Sequence, residues 1–148
     1  MQIRLFEKSD VKVCISIFIN TYNAPPWNDS WSNEDASEYI SELTLYPNFI
    51  GFVLEEENTI IGCALGHKKT WWNQKQLELE QFFIHPQFQN RGYGKAFLSY
   101  IQNYAAQNGL EGIVLITREN MPCYEFYEKN GIMKIQNVVY MGKRIKAN

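Results

Sequence analysis

The sequence predicts an α/β protein, an α+β sandwich in which helices cover both faces of a mixed, mostly antiparallel central sheet. Segments of alternating apolar residues, typical of strands, are interspersed with segments whose apolar residues recur at helical spacing. Two of the strand segments are joined by a short polar turn, which indicates a hairpin and therefore antiparallel pairing. At 148 residues, 45% of them hydrophobic, the chain has the size of one globular domain spanning residues 1–148.

The first half of the chain predicts one strand, two helices and a hairpin. Pro25 and Pro26 forbid helix between the two helical segments. Ser32, followed three residues later by Asp35, resembles a capping box and marks the start of the second helix. The expected elements are a strand over residues 2–6, a helix from Ser9 or Asp10 to about Tyr22, a helix from Ser32 to about Leu45, and hairpin strands over residues 49–54 and 59–70.

The second half centres on a strand, a glycine-bearing loop and a helix. Ordinary alternation divides the strand between two faces, with Leu77, Leu79 and Gln81 on one and Glu78, Glu80 and Phe82 on the other. The helix is expected to stop at Gly109. The other expected elements are a turn over residues 71–73, a buried strand over residues 112–117, a short helix over residues 121–130, and a final strand pair over residues 132–136 and 138–145 around Asn137.

Composition and cysteine usage exclude several classes of protein. The formal net charge of −2 argues against nucleic acid as the main partner. The sequence has no apolar run that would span a bilayer and no secretory signal, so a cytoplasmic protein without a membrane partner is expected. The odd number and wide spacing of Cys14, Cys63 and Cys123 favour reduced thiols. His67 and His85 lack metal-ligand spacing, so they are expected to be structural and no metal is expected.

The loop between the strand and the helix has the composition of an anion-binding site. N–H groups at a helix N-terminus lack intrahelical partners, and the helix dipole favours an anion there. Gly92 and Gly94 remove side chains where a phosphate would approach, and Arg91 and Lys95 add positive charge. The glycine spacing matches neither the triphosphate-binding loop nor the dinucleotide fingerprint. The sequence therefore predicts a diphosphate seat, with a simple glycine turn before the helix as the alternative.

Two segments resemble motifs of the GNAT superfamily of acetyl-CoA-dependent N-acetyltransferases. Residues 89–94, Gln-Asn-Arg-Gly-Tyr-Gly, are similar to the family's Gln/Arg-x-x-Gly-x-Gly/Ala motif, which also lies between a strand and a helix. Residues 120–132 look like the family's Asn-x-x-Ala-x-x-Leu-Tyr-Glu-Lys-x-Gly-Phe segment, with Cys123 for alanine and Ile132 for phenylalanine. The resemblance implies a GNAT-like acyl-CoA N-acyltransferase fold that uses acetyl-CoA and releases CoA.

The resemblance also implies which residues contact the cofactor. The central strand of the family separates from its neighbour near its end, so a main-chain N–H group around Phe83 or Ile84 would reach the thioester oxygen. Asn120 is expected to cap the short helix and to contact the pantetheine amides. The complete cofactor set is Phe82, Phe83, Ile84, Gln89, Asn90, Arg91, Gly92, Tyr93, Gly94, Lys95, Asn120 and Tyr127.

Acetyl transfer from a thioester to an amine needs a base for the ammonium and an acid for the leaving thiolate. Glu78 and Glu80 are the candidate bases, with Glu78 favoured because it lies farther from the cofactor loop; water, or a merely solvated strand face, is the alternative. Tyr127, at the family's tyrosine position, is the expected acid, with core packing or Tyr124 as the alternatives. Cys123 has no histidine partner in sequence, and direct transfer needs no acyl-enzyme.

Tryptophans near predicted turns are the candidate substrate contacts. Aromatic faces close to carboxylates suit a cationic amine, although ordinary amphipathic cover of the core explains them equally well. The candidates are Trp27, Asp29, Trp31, Trp71 and Trp72. The sequence thus predicts an enzyme that acetylates a primary amine of a small cationic molecule by direct transfer. A non-catalytic acyl-CoA-binding module of the same fold is the alternative, and a homodimer stays open.

Overall fold

The computed structural model describes residues 1–146 and contains a five-stranded sheet in the order β1-β2-β3-β4-β5. The strands are β1 (Gln2–Leu5), β2 (Phe49–Glu56), β3 (Thr59–Trp71), β4 (Gln74–Ile84) and β5 (Gly112–Val114). The first four strands pair antiparallel with their neighbours, and β5 pairs parallel with β4. The parallel pairing follows from the crossover through a helix that connects these two strands.

Four helices complete the fold: α1 (Val11–Tyr22), α2 (Asn33–Thr44), α3 (Tyr93–Gln107) and α4 (Pro122–Lys129). Helices α1 and α2 cover one face of the sheet, where Phe18 and Ile40 pack with Val53, Leu65 and Phe83. Helix α3 covers the other face; its buried Phe97, Ile101 and Ala105 pack there with Phe52, Leu54, Leu77 and Leu79. The mixed, mostly antiparallel sheet with helices on both faces confirms the predicted fold class.

Local sequence signals set the helix ends largely as predicted. The Ser32 hydroxyl accepts a hydrogen bond from the Asp35 N–H at 3.0 Å and so caps α2. Gly109, with φ of 69°, follows α3 in the left-handed conformation that glycine tolerates. Neither predicted cap of α1 acts as one, since Asp10 occupies the cap position without a side-chain cap bond.

Asp10 instead joins a partly buried ion pair that connects the N-terminal strand to the rest of the sheet. Its carboxylate accepts hydrogen bonds from Arg4 at 2.8 and 3.0 Å and from the Glu7 N–H at 2.8 Å. Arg4 also donates to Glu55 on β2 at 2.9 Å. Asp10 thereby links β1, the turn before α1 and, through Arg4, β2.

The predicted final strand pair is wrong for the part of the chain that the structure describes. Residues 132–136 and 138–145 belong to no strand, although Asn137 does form the expected turn with φ of 61°. Strand β5 is also shorter than predicted and ends at Val114. A strand exists only through hydrogen bonds to a neighbour, so β-rich composition cannot form one where the sheet provides no ladder.

The cysteines are free thiols, but two of them lie closer together than their spacing indicated. Cys14 on α1 and Cys63 on β3 are fully buried and contact each other. The hydrogen bond with Cys14, together with burial, raises the pKa of the Cys63 thiol. No helix within residues 1–146 has the length and apolarity that crossing a membrane requires.

Candidate active site

The central strand β4 contains a β-bulge at Glu80. In the ladder with β3, Leu65 pairs with Gln81 and Gly66 pairs with Leu79, so two positions of β3 face three positions of β4. Gly66 allows the main chains of β3 and β4 to lie this close together at the bulge. A Cβ atom at residue 66 would lie 2.3 Å from the Glu78 carbonyl oxygen. The additional residue of β4 is Glu80, one of the two acidic residues of this strand segment.

The bulge shifts the alternation of side chains along the rest of β4. Gln81 points to the α1/α2 face, where its amide bonds to the hydroxyls of Tyr22 and Tyr39, each at 2.8 Å. Phe82 points to the α3 face and packs on Phe97 at 5.3 Å between ring centroids. The predicted grouping of Gln81 with Leu79 and of Phe82 with Glu80 is therefore wrong, since simple alternation does not hold across a bulge.

A cleft opens where β4 and β5 separate. The two strands pair only from Gln76 to Glu78, and β5 ends there. The His85 N–H donates to the Ile61 carbonyl oxygen of β3 at 2.8 Å. Because main-chain groups alternate along a strand, those of Phe82 and Ile84 face the opposite edge, toward the cleft. The Gln89 side chain reaches that edge and donates to the Ile84 carbonyl oxygen at 2.8 Å.

Helix α3 begins beside the cleft with exposed main-chain donors. Its N-cap, Gly92, has φ of 84°, and no side chain of the described residues caps the helix. A Cβ atom on Gly92 would meet nothing within 4 Å, so the backbone conformation and not crowding calls for glycine there. Gly94 has a different role, because its Cβ atom would lie 3.3 Å from the Phe126 ring of α4.

A cavity of about 600 Å³ joins the start of α3 to the end of β4 and to α4. Gly92, Gly94 and Lys95 at the start of α3 line it, and so does Tyr127 of α4. The remaining lining residues are Thr21, Tyr22, Pro25, Pro26, Trp27, Phe82, Phe83, Ile84, Gln89, Asn90, Pro122, Cys123, Phe126 and Asn130. A larger cavity of about 700 Å³ lies beyond β5 and shares Tyr127, but it lacks the start of α3.

A cluster of charged side chains lies on the α1/α2 face of β3 and β4. His67 Nε2 is 3.2 Å from Glu78 Oε2 and 3.3 Å from Glu80 Oε1. Lys69 Nζ is 3.2 Å from the other oxygen of Glu78. Tyr46 stacks on the His67 ring at 4.6 Å between centroids. His67 was predicted to be structural, and this prediction did not include its contact with the two candidate bases, Glu78 and Glu80.

Comparison with known proteins identifies the family of the chain. The model of the acetyltransferase (GNAT) family matches residues 17–132. The chain belongs to the GNAT acetyltransferase family. An acetyltransferase of Yersinia enterocolitica is 25% identical over 147 residues, which cover 98% of this chain and 96% of that protein. The chain is therefore an acyltransferase, as the two motif-like segments of the sequence implied.

Solved structures share the fold at low sequence identity. An aminoglycoside acetyltransferase from a soil metagenome, in complex with sisomicin, superposes with a TM-score of 0.75 at 18% identity, covering 98% of this chain and 96% of that one. An aminoglycoside N-acetyltransferase in complex with CoA has a TM-score of 0.73 at 18% identity, covering 97% and 94%. At 18% identity these two comparisons support the fold of this protein but do not identify its substrate.

Most of the residues predicted to bind the cofactor line the 600 Å³ cavity, and three do not. Arg91 lies over the Phe88 ring at 5.7 Å, and Tyr93 packs against the same ring at 6.3 Å. Asn120 is exposed, and Met121 occupies the N-cap of α4, so the predicted capping role of Asn120 is wrong. Capping depends on where the first helical turn begins, which composition places only to within a residue or two.

Tyr127 lies in the cavity wall and is almost fully buried. Burial, and to a lesser degree Cys123, raises the pKa of its phenol. Tyr22, which lines the same cavity, has its pKa raised mainly by burial, with Tyr127 the next cause. Tyr124, the alternative acid, lines only the cavity beyond β5.

The predicted substrate residues are separated in the structure. Trp27 lines the cavity. Trp31 packs on Phe18 at 4.9 Å and hydrogen-bonds to Asp29 at 3.2 Å, so these two residues stabilise the loop before α2. Trp71 and Trp72 are exposed at the tip of the β3–β4 hairpin, where Lys69 Nζ lies 5.4 Å from the Trp71 ring.

Sequence reasoning missed part of the cavity wall. Pro122 and Asn130 lie within the second motif-like segment at positions that its pattern does not specify; Phe126 belongs to the pattern but was not predicted to contact the cofactor. Tyr22 was predicted only as the end of α1, and it reaches the cavity because α1 packs across β4. A contact between elements this far apart in sequence leaves no local signal.

Proposed function

We propose that this acetyltransferase moves the acetyl group of acetyl-CoA to a primary amine of a small cationic molecule by direct transfer. The observation that carries the proposal is the 600 Å³ cavity, which links the start of α3 to Tyr127 along the cleft edge of β4. The start of α3 provides donors for an anion, and Tyr127 provides a proton donor. Acetyl-CoA supplies the activated acetyl thioester, and the pantetheine arm joins that thioester to the anionic diphosphate.

The first turn of α3 is suited to hold the diphosphate. Main-chain N–H groups and the helix dipole point at an anion in this position, and Lys95 adds a positive charge to the cavity wall. The position of Gly92 leaves space for a phosphate, since a side chain there would meet nothing within 4 Å. CoA in a solved neighbour of the same fold supports this use of the fold.

The cleft edge of β4 is suited to hold the pantetheine arm and the thioester. The main-chain groups of Phe82 and Ile84 face the cleft, so their N–H groups provide donors in the manner of strand addition. A donor from Ile84 would polarise the thioester carbonyl and stabilise the oxyanion that develops during attack. This selects Ile84 over Phe83, whose main chain faces β3.

The reaction then needs two proton transfers, one from the substrate ammonium to a base and one from an acid to the leaving thiolate. An amine arrives mostly as an ammonium ion, and the Glu78–Glu80 pair would accept its proton so that the free amine attacks the carbonyl. The hydroxyl of Tyr127 donates a proton to the sulfur as the C–S bond breaks. Burial raises the pKa of this phenol, so its hydroxyl carries its proton at neutral pH.

The acceptor is proposed to enter from the side of Trp27 and the charged cluster on β3 and β4. Carboxylates of Glu78 and Glu80 attract a cation, and the Trp27 ring offers an aromatic face at the cavity. Two solved neighbours are described as aminoglycoside acetyltransferases, which act on amines of this kind. Their likeness supports a cationic amine as the class of acceptor.

Release of thiol from acetyl-CoA, measured against a panel of polyamines, aminoglycosides, amino acids and peptide N-termini, tests the proposal. We expect release that depends on the amine, together with an N-acetylated product identified by mass spectrometry. Calorimetric titration with CoA provides the control for binding. CoA binding without thiol release for any amine would contradict catalysis and favour an acyl-CoA-binding module.

A further inference from the structure

Cys123 is the one cysteine among residues 1–146 whose thiol reaches the proposed cofactor site. It lies in the first turn of α4, lines the 600 Å³ cavity and is partly exposed. Its Sγ atom is 3.1 Å from the hydroxyl oxygen of Thr117. Cys14 and Cys63 are fully buried in the core. The family pattern that this segment resembles has alanine at residue 123, so the thiol is a departure from that pattern.

Cys123 belongs to a group of three titratable side chains in this cavity, together with Tyr22 of α1 and Tyr127 of α4. Burial is the main cause that raises the pKa of each phenol, and the Cys123 thiol contributes in both cases. Groups influence each other in this way only at short range. The three side chains therefore converge on the same part of the cavity.

The hydroxyl of Tyr127 indicates that a ligand belongs at this place. Tyr127 is 9% exposed, and its hydroxyl forms no hydrogen bond with any of residues 1–146. Glu56 holds the only fully enclosed unpaired side-chain oxygen of these residues, so the Tyr127 hydroxyl opens into cavity space. Buried polar groups nearly always have a partner. Under the proposed function that partner is the sulfur of CoA.

The geometry of α4 brings the Cys123 thiol close to that sulfur. Residues four apart share one face of a helix, and long side chains lean toward the preceding turn. The Tyr127 ring therefore leans toward Cys123, and both residues line the same cavity. The thiol of CoA and the thiol of Cys123 would meet at the phenol of Tyr127.

We propose that Cys123 is a site of reversible modification by CoA, through a mixed disulfide between its thiol and the thiol of the cofactor. This inference rests on the proposed function, from which it takes the position of CoA. The modified protein carries CoA in its own cofactor site, so acetyl-CoA is excluded and acetyl transfer stops. A thiol reductant removes the CoA and restores the free site.

Thiol–disulfide exchange with CoA disulfide, in which two CoA molecules are joined through their sulfurs, forms the adduct. One half binds in the cavity, and the Cys123 thiolate attacks the sulfur of that half. The S–S bond of CoA disulfide breaks as the S–S bond to Cys123 forms. The other half leaves as a thiolate and takes up the proton that Cys123 released. Cys123 is oxidised and the departing CoA is reduced, so the step needs no further oxidant.

The two core cysteines are not expected to react in this way. The thiolate is the attacking form of a cysteine. The hydrogen bond with Cys14, together with burial, raises the pKa of the Cys63 thiol, and neither residue lines the cavity. Modification should therefore be confined to Cys123.

Intact-protein mass spectrometry of the full-length protein after incubation with CoA disulfide tests the inference. We expect the wild type to gain one CoA, which peptide mapping locates at Cys123 and dithiothreitol removes. The reaction should be at least about tenfold faster than with glutathione disulfide, because binding of one CoA half holds the two reacting sulfurs together. CoA that lacks its sulfur should compete for the cavity and slow the reaction.

Cys123→Ser is the matched variant, because its hydroxyl keeps a partner for Thr117. It should gain no CoA, and its unfolding temperature shows that it is folded. Equal gain of CoA by this variant, equal rates with the two disulfides, or no adduct in a wild type that binds CoA would overturn this inference alone. An adduct at Cys123 in a wild type that releases no thiol with any amine would support the inference and contradict the proposed transfer. Absence of CoA binding in calorimetry would overturn both.

Discussion

Tyr127 and Asp10 are both buried, yet their surroundings move the two pKa values in opposite directions. Burial raises the pKa of the Tyr127 phenol. The hydrogen bond from Arg4 lowers the pKa of the Asp10 carboxyl, and it outweighs the effect of burial. The sequence predicted Tyr127 as a site residue through its motif, whereas it predicted Asp10 only as a helix cap, because the ion pair with Arg4 forms in the folded chain alone.

Tyr127→Phe tests the role of the phenol. The ring still packs against Phe82 and Phe126, but the proton donor to the thiolate is lost. We expect kcat to fall by about 10²- to 10⁴-fold, the usual contribution of a general acid, with little change in CoA affinity by calorimetry. Exposed Tyr140→Phe is the matched control and should behave as the wild type. A normal kcat in Tyr127→Phe would leave the residue with a packing role only.

Asp10→Asn tests the ion pair near the N-terminus. The substitution weakens two charged hydrogen bonds, so we expect the free energy of unfolding at neutral pH to fall by about 2–3 kcal/mol in urea titrations. A carboxyl with a lowered pKa stabilises the fold above its ordinary pKa of 3.8, and this stability is lost as the pH falls through the lower value in the fold. The gap between wild type and variant should therefore close on acidification, and a constant gap would contradict the account.

The bulge in β4 is the element that simple pattern analysis could not predict. The strand itself, the glycine-bearing loop and α3 all follow from local periodicity and glycine positions. The bulge depends on the contact between Gly66 and the main chain at Glu78, which lie on different strands. One extra residue changes the face of Gln81 and Phe82, and with it the composition of both walls of the site.

Gly66→Ala tests this account of the bulge. An added Cβ atom 2.3 Å from a carbonyl oxygen must displace the main chain of β4, so we expect a loss of about 1–3 kcal/mol in unfolding free energy, as for overpacking. The kcat should fall as well, because Glu78 and Glu80 move with the main chain. Gly112→Ala is the control, since its Cβ atom would meet its nearest neighbour at 3.9 Å. Equal stability of the two variants would show that Gly66 does not define the bulge.

At the scale of the whole molecule, the order of elements and the sheet with helices on both faces were predictable from sequence. The cavity was predictable in part, because the segment 89–95 and the short helix carry family motifs. Another part of its wall comes from the end of α1, which reaches the cavity only by packing across β4. The final strands were predicted from composition and are absent within residues 1–146, since strand formation depends on an available sheet edge.

The central claim is that the donor of the acetyl group lies in the cavity that begins at α3. The most direct test is the KM for acetyl-CoA of Gly92→Asp and Gly92→Asn. Both side chains tolerate the left-handed conformation of residue 92 and have the same size, so only Asp adds a negative charge at the helix start. We expect KM to rise by about tenfold more for Asp than for Asn, with kcat the same in both variants. An equal KM for the two variants would place the diphosphate elsewhere and contradict the account.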